Sequence, residues 1–188
     1  FLSLALPSAL IADGPWLNEF IRGYRDLSTR FSCPLLGGDT TSSPDGLCID
    51  VTVLGSAPAG HSVKRSGALD GDLVCVSGYL GDSGAGLKLL LGAAPSAPQA
   101  CAGVADGESA GAYLIGKHCR PVPRVEAGLA LAGIPGVHSM MDISDGIASD
   151  LRHILRASGL SALVECASLP FSKLFDNMSA ACRSSGER

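Results

Sequence analysis

The sequence predicts an α/β (α+β) protein. Stretches that alternate apolar and polar residues, as strands do, are separated by stretches whose apolar residues recur at three- and four-residue spacing, as in helices. Gly (24) and Pro (11) are too frequent for a helical bundle and suit a protein with many backbone-defined loops. Among 188 residues, 46% are hydrophobic and 17% charged, enough to bury a sizeable core in one large domain or two small ones.

Taken in order, Phe1 to Leu6 alternates like a strand inside a sheet, and Pro7 ends it. Asp13 is a candidate cap for a helix with Pro15 in its first turn. Trp16, Leu17, Phe20, Ile21, Tyr24 and Leu27 then fall at helical spacing. A short strand is expected at Pro34–Leu36, leading into Gly37-Gly38-Asp39-Thr40-Thr41. A second is expected over Leu47–Leu54, with Leu47, Ile49, Val51 and Val53 on one face. Leu73–Ser77 reads as another strand, and a helix begins at Asp82. Residues 92–109, rich in Ala, Gly, Ser and Pro, read as a loop or insertion. Helices are expected near 109–118 and 123–133, and strands at Val137–Met141 and Leu160–Cys166. Between these strands Ile147, Leu151, Ile154 and Leu155 mark a helix, and a weak helix follows Pro170.

Composition excludes several function classes. The 14 Lys and Arg are scattered and the net charge is -4, so there is no nucleic-acid footprint. No apolar run reaches the roughly 18 residues of a membrane span. Phe1–Ile11 is broken by Ser and Pro and lacks a basic flank, so it does not read as a signal peptide. Seven cysteines without a CxxC pair read as buried, reduced thiols, not as disulfides or a zinc site. His61, His118, His138 and His153 are isolated and read as surface or capping residues.

Chemistry is concentrated in Asp-Gly-rich segments. In Gly37-Gly38-Asp39-Thr40-Thr41 the glycines let backbone N–H groups approach a ligand, and Asp39 offers a hard oxygen to a cation. A tight turn between strands explains the segment equally well. Asp142-Ile143-Ser144-Asp145-Gly146 stands where a strand runs into a helix, so free N–H groups with the helix dipole behind them are expected there. Asp142 and Asp145 would repel one another unless a cation lay between them. If Ser144 or Asp145 were only an N-cap, one acid would stay unexplained. These acids are three apart, not two, which excludes a haloacid-dehalogenase phosphatase. Arg65, in Lys64-Arg65-Ser66-Gly67-Ala68, matters only if it faces the same ligand as Asp39. Gly78–Ser83 is a weak phosphate-loop fragment. With no GxxxxGK[ST] and no GxGxxG between strand and helix, P-loop and Rossmann sites are excluded.

In order along the chain, LSLALP, LLGGDTTSS, IDVTVLG, KRSGALDGDLVCVSGYLGDSGAGL, HCRPVPR and MDISDGIASDLRHI resemble the thiamine-monophosphate kinase family, of the aminoimidazole ribonucleotide synthetase-like superfamily. The resemblance implies a two-domain PurM-like architecture with both domains truncated: residues 1–70 as the second half of the N-terminal domain and 71–188 as the first part of the C-terminal one. It further implies that the chain is the middle of a longer, cytoplasmic, homodimeric protein. By motif it assigns Gly38, Asp39, Arg65 and Ser144 to ATP, and Asp39, Asp142 and Asp145 to Mg²⁺. The implied reaction is phosphorylation of thiamine phosphate by ATP in a direct in-line transfer assisted by several Mg²⁺ ions. No catalytic base is expected, because the attacking phosphate oxygen is already anionic near pH 7. The resemblance leaves two other readings open: another ATP-dependent synthetase of the superfamily, such as selenophosphate synthetase, and an inactive dimerisation fragment.

Overall fold

The computed structural model describes residues 1–12, 14–92 and 109–184. Asp13, most of the expected 92–109 loop and the last four residues lie outside them. The chain divides into two compact units, Phe1–Ala59 and Gly60–Arg188.

In the first unit, strand β1 (Leu2–Pro7) is central in a three-stranded sheet of order β2-β1-β3. Its alternation is reproduced in burial: Leu2, Leu4 and Leu6 are buried, and Ser3 is exposed. A short helix α1 (Ser8–Ala12) leads to α2 (Gly14–Arg30). The predicted stripe on α2 packs Trp16, Leu17, Phe20 and Tyr24 onto those three leucines. Trp16 and Phe20, one helical turn apart, stack with centroids 5.5 Å apart.

The sheet corrects two predictions. Pro34–Leu36 forms no strand. Strand β2 is Gly38–Ser43, the GDTTSS segment itself, paired in parallel with β1 so that Leu2 lies opposite Gly38 and Ser3 opposite Asp39. Backbone pairing with β1 overrides the weak strand preference of these polar residues. The expected Leu47–Leu54 strand is shorter: β3 is Cys48–Val51, antiparallel to β1. Backbone bonds between Phe1 and Thr52 extend that pairing by one step.

In the second unit the helices agree with the periodicity: α3 (Asp82–Leu90), α4 (Ala110–Cys119), α5 (Val125–Ala132), α6 (Ile147–Ser158) and α7 (Lys173–Ser184). Ala85 of α3, Ala110 and Leu114 of α4, and Leu174 and Met178 of α7 form its core, with Leu89, Tyr113 and Phe175 packed around them.

Leu73–Ser77, Val137–Met141 and Leu160–Cys166, all expected as strands, are not strands. A strand exists only where a neighbour completes its ladder, and among the described residues none pairs with these segments. Leu73 is 89% and Leu163 92% exposed accordingly. The cysteines also depart from expectation. Cys33, Cys48, Cys75, Cys119 and Cys166 are free, as predicted, but exposed instead of buried.

Candidate functional site

Each unit carries part of the predicted constellation. In the first, Asp39 lies on β2 opposite Ser3. Side chains alternate along a strand, so Asp39 and Thr41 project from the sheet face opposite Leu2, Leu4 and Leu6. That polar face needs no covering helix, and Asp39 is exposed on it. Its only bond among the described residues is local: Oδ1 accepts the Thr40 amide at 2.9 Å. Gly38 is fixed by packing. A Cβ there would lie 1.9 Å from the Leu2 carbonyl oxygen, so the close approach of β2 to β1 already requires glycine. Residues 38–43 are a strand, so the alternative of a turn between strands does not hold.

In the second unit, Asp142, Ser144 and Asp145 are exposed in the loop that enters α6. Neither Ser144 nor Asp145 caps that helix; the N-cap is Gly146, with no side-chain cap bond. The capping explanation of these residues therefore fails. The expectation of free amides at the junction is met in part: those of Ile147 and Ala148, in the first turn of α6, have no partner among the described residues, but two in the preceding loop are taken. The amides of Ser144 and Asp145 both donate to Oδ2 of Asp150, at 2.9 and 3.1 Å. Asp150, buried in the first turn of α6, shapes the loop from inside and leaves the Asp142 and Asp145 carboxylates without a hydrogen-bond or ion-pair partner among the described residues.

Sequence reasoning missed Asp150. Its signal was an acid in the first turn of a helix directly before the core residue Leu151, a place that the helical stripe puts at the edge of the buried face. Replacing it by Ala is expected to cost about 2 kcal/mol of unfolding free energy, since two part-buried amides lose their acceptor. Asn, which keeps an oxygen there, should cost less than half of that. Urea denaturation of the two variants measures the difference.

Arg65 stands in an exposed segment with no carboxylate partner among the described residues. The nearby Leu69–Asp72 turn is closed in both directions: the Asp72 amide donates to the Leu69 carbonyl, and the Leu69 amide to Asp72 Oδ2 at 2.8 Å. This bond from Leu69, then one from His138, holds the Asp72 carboxyl below its ordinary value. The stability it contributes is full above the usual carboxylate range and is lost as pH falls through the lowered value.

The Gly78–Ser83 segment is structural. The hydroxyl of Ser172 donates to the buried carboxylate of Asp82 and accepts the Phe175 amide at 3.0 Å, which joins the starts of α3 and α7. A cleft of about 530 Å³ between α2 and residues 32–35 contains none of the predicted site residues.

The family resemblance implies a cation at the acids. No group of three or more His, Cys, Asp or Glu among the described residues is placed to hold a metal ion. Carboxylates supplied singly or in pairs, all oxygen donors, fit Mg²⁺, which keeps several waters and takes one or two carboxylates together with substrate phosphates. They do not fit a structural zinc site, which is a closed four-ligand set of Cys and His.

Residues 1–57 match the family described as AIR synthase related protein, N-terminal domain. The match spans all but the last two residues of the first unit. Over nearly its whole length the chain is similar to thiamine-monophosphate kinases. It is 41% identical to thiamine-monophosphate kinase of Escherichia coli (strain K12) over 171 residues, 91% of this chain and 48% of that protein. Among solved structures it is similar to thiamine-monophosphate kinase from Stenotrophomonas maltophilia K279a, with 34% identity and a TM-score of 0.76, covering 92% of this chain and 51% of the other. A structure of AaThiL complexed with AMPPCP and TMP matches all of this chain and 54% of its own, with 28% identity and a TM-score of 0.74. The α/β class expected from the sequence is thereby borne out. The chain spans about half the length of the curated relatives it matches.

Proposed function

We propose that the polypeptide carrying this sequence transfers the γ-phosphoryl group of ATP to the phosphate of thiamine phosphate, giving thiamine diphosphate and ADP. One observation carries the reading: 41% identity to a thiamine-monophosphate kinase, maintained over 91% of the chain. The neighbour complexed with AMPPCP, an ATP analogue, and TMP, taken as thiamine monophosphate, supports the same pair of substrates.

The chemistry is displacement at phosphorus by a phosphate oxygen. That nucleophile is anionic near pH 7, so no side chain has to remove a proton. The task is to hold two polyanions together in line. Asp39, Asp142 and Asp145 would hold Mg²⁺, and the ions would neutralise phosphate charge as it develops. Arg65, with a guanidinium unclaimed by any carboxylate among the described residues, would grip a phosphate of ATP through its planar fork. Gly38 would keep the backbone close to the nucleotide, and the Ser144 hydroxyl would bind it. Asp150 touches neither substrate in this reading and acts by shaping the 142–146 loop. No helix among the described residues is long and apolar enough to cross a membrane. The resemblance to the kinase family is what suggests a cytoplasmic homodimer.

Arg65→Ala tests the phosphate grip. In the natural polypeptide that carries this sequence it is expected to weaken ATP use roughly 10- to 100-fold, the loss of a charge-assisted hydrogen bond of ~1.5–3 kcal/mol. Arg65→Lys should recover only part, since an ammonium lacks the fork. Steady-state kinetics at varied ATP measure both. Equal constants for Ala and wild type would make Arg65 a solvated surface charge.

A further inference from the structure

The segment that carries Arg65 is fastened to two others within the second unit. The Met140 amide donates to the Lys64 carbonyl at 3.0 Å. The amides of Gly67 and Ala68 both donate to Oγ of Ser158, near the end of α6, at 3.2 Å each. Gly67 has φ +117°, and a Cβ on it would lie 2.8 Å from the His138 carbonyl oxygen, so the chains touch there at backbone distance. One further link joins two side chains. Nδ1 of His138 lies 2.9 and 3.0 Å from the two oxygens of Asp72. An ionised carboxylate only accepts, so that nitrogen carries the proton. Asp72 thus serves two partners, closing its own turn through Leu69 and gripping His138, four residues before Asp142.

We propose that the His138–Asp72 pair is a positioning clasp. It fixes the 64–72 segment, and with it Arg65, against the strand-like run 137–141 that leads into Asp142-Ile143-Ser144-Asp145. The backbone links hold the near end of the segment, at 64–68. The clasp holds its far end, at 69–72. Without it the 64–72 segment keeps its links at 64 and 67–68 but loses the one at 72, and the Arg65 guanidinium samples positions that do not meet the nucleotide. The role rests on the kinase reading above. It predicts an effect confined to ATP, the substrate that Arg65 would grip.

A double-mutant cycle tests it in the natural polypeptide that carries this sequence. His138→Ala is expected to raise KM for ATP about 5- to 20-fold, with KM for thiamine phosphate changed less than about two-fold. In an Arg65→Ala background the same substitution should add less than about two-fold, because the residue it positions is gone. His138→Gln, which keeps a side-chain donor, should restore most of the loss. Asp72→Asn keeps an acceptor for the Leu69 amide and provides a second, gentler break of the clasp with the same expected pattern. An unchanged KM for ATP in His138→Ala and Asp72→Asn overturns the clasp. So does the same factor in both backgrounds, which would mark a structural effect independent of Arg65. A wild type without ATP-dependent turnover overturns the kinase reading, and the clasp's role with it. A wild type that turns over while both clasp variants match it overturns the clasp alone.

Discussion

Asp39→Asn is expected to lower turnover roughly 100- to 1000-fold while leaving the fold nearly untouched. The substitution removes a formal charge from a proposed Mg²⁺ ligand, and the lost transition-state stabilisation amounts to several kcal/mol. The surroundings of Asp39 separate this loss from any effect on folding. The side chain is exposed on the polar face of the sheet, and its one bond among the described residues runs from the Thr40 amide to Oδ1. Asn offers the same oxygen. Unfolding free energy should therefore change by no more than about 0.5 kcal/mol, as at other surface sites. Turnover at saturating Mg²⁺, with urea denaturation of the same preparation, measures both quantities. Near-normal turnover would remove Asp39 from the site.

Asp142→Asn and Asp145→Asn should each raise the Mg²⁺ concentration needed for half-maximal turnover, by roughly ten-fold or more. Their effect on stability should have the opposite sign. Two exposed carboxylates in one four-residue loop, neither with a protein partner among the described residues, repel each other when no cation is present. Removing one charge should leave the metal-free protein equally stable or more stable by up to about 0.5 kcal/mol. Had Asp145 been the cap of α6, Asn would have replaced it almost silently. The cap is Gly146, so that outcome is not expected. A magnesium titration of turnover, paired with melting curves in chelator, reads both signs. A silent Asp145→Asn would leave the loop without its proposed ion.

The helices were legible because their apolar spacing reports burial directly. Trp16, Leu17, Phe20 and Tyr24 do pack on the sheet, and Leu151 is buried in α6. Strands were read less well, because a strand depends on its neighbour. Leu160–Cys166 has strand-like composition, yet it has no ladder partner among the described residues: Ser161–Glu165 is exposed and Cys166 begins a short 3-10 helix. GDTTSS has poor composition, yet it is a strand because β1 lies beside it. The exposed acids of the site were marked by their motifs. The residues that support them were not. Asp150 reaches back to the amides of Ser144 and Asp145; its place at the edge of the helical stripe hints at burial but does not name these partners. Asp82 and Ser172, like Asp72 and His138, meet across long stretches of chain. Tertiary structure alone brings such pairs together.

The proposed phosphoryl transfer can be watched at phosphorus itself. Phosphorus NMR of the natural polypeptide that carries this sequence, incubated with ATP, Mg²⁺ and thiamine phosphate, follows it directly. The expected result is loss of the γ-phosphate signal with equal growth of ADP and thiamine diphosphate, stopped by chelator. ATP consumed without thiamine diphosphate, or thiamine phosphate left unchanged by a folded protein at saturating ATP and Mg²⁺, would contradict it.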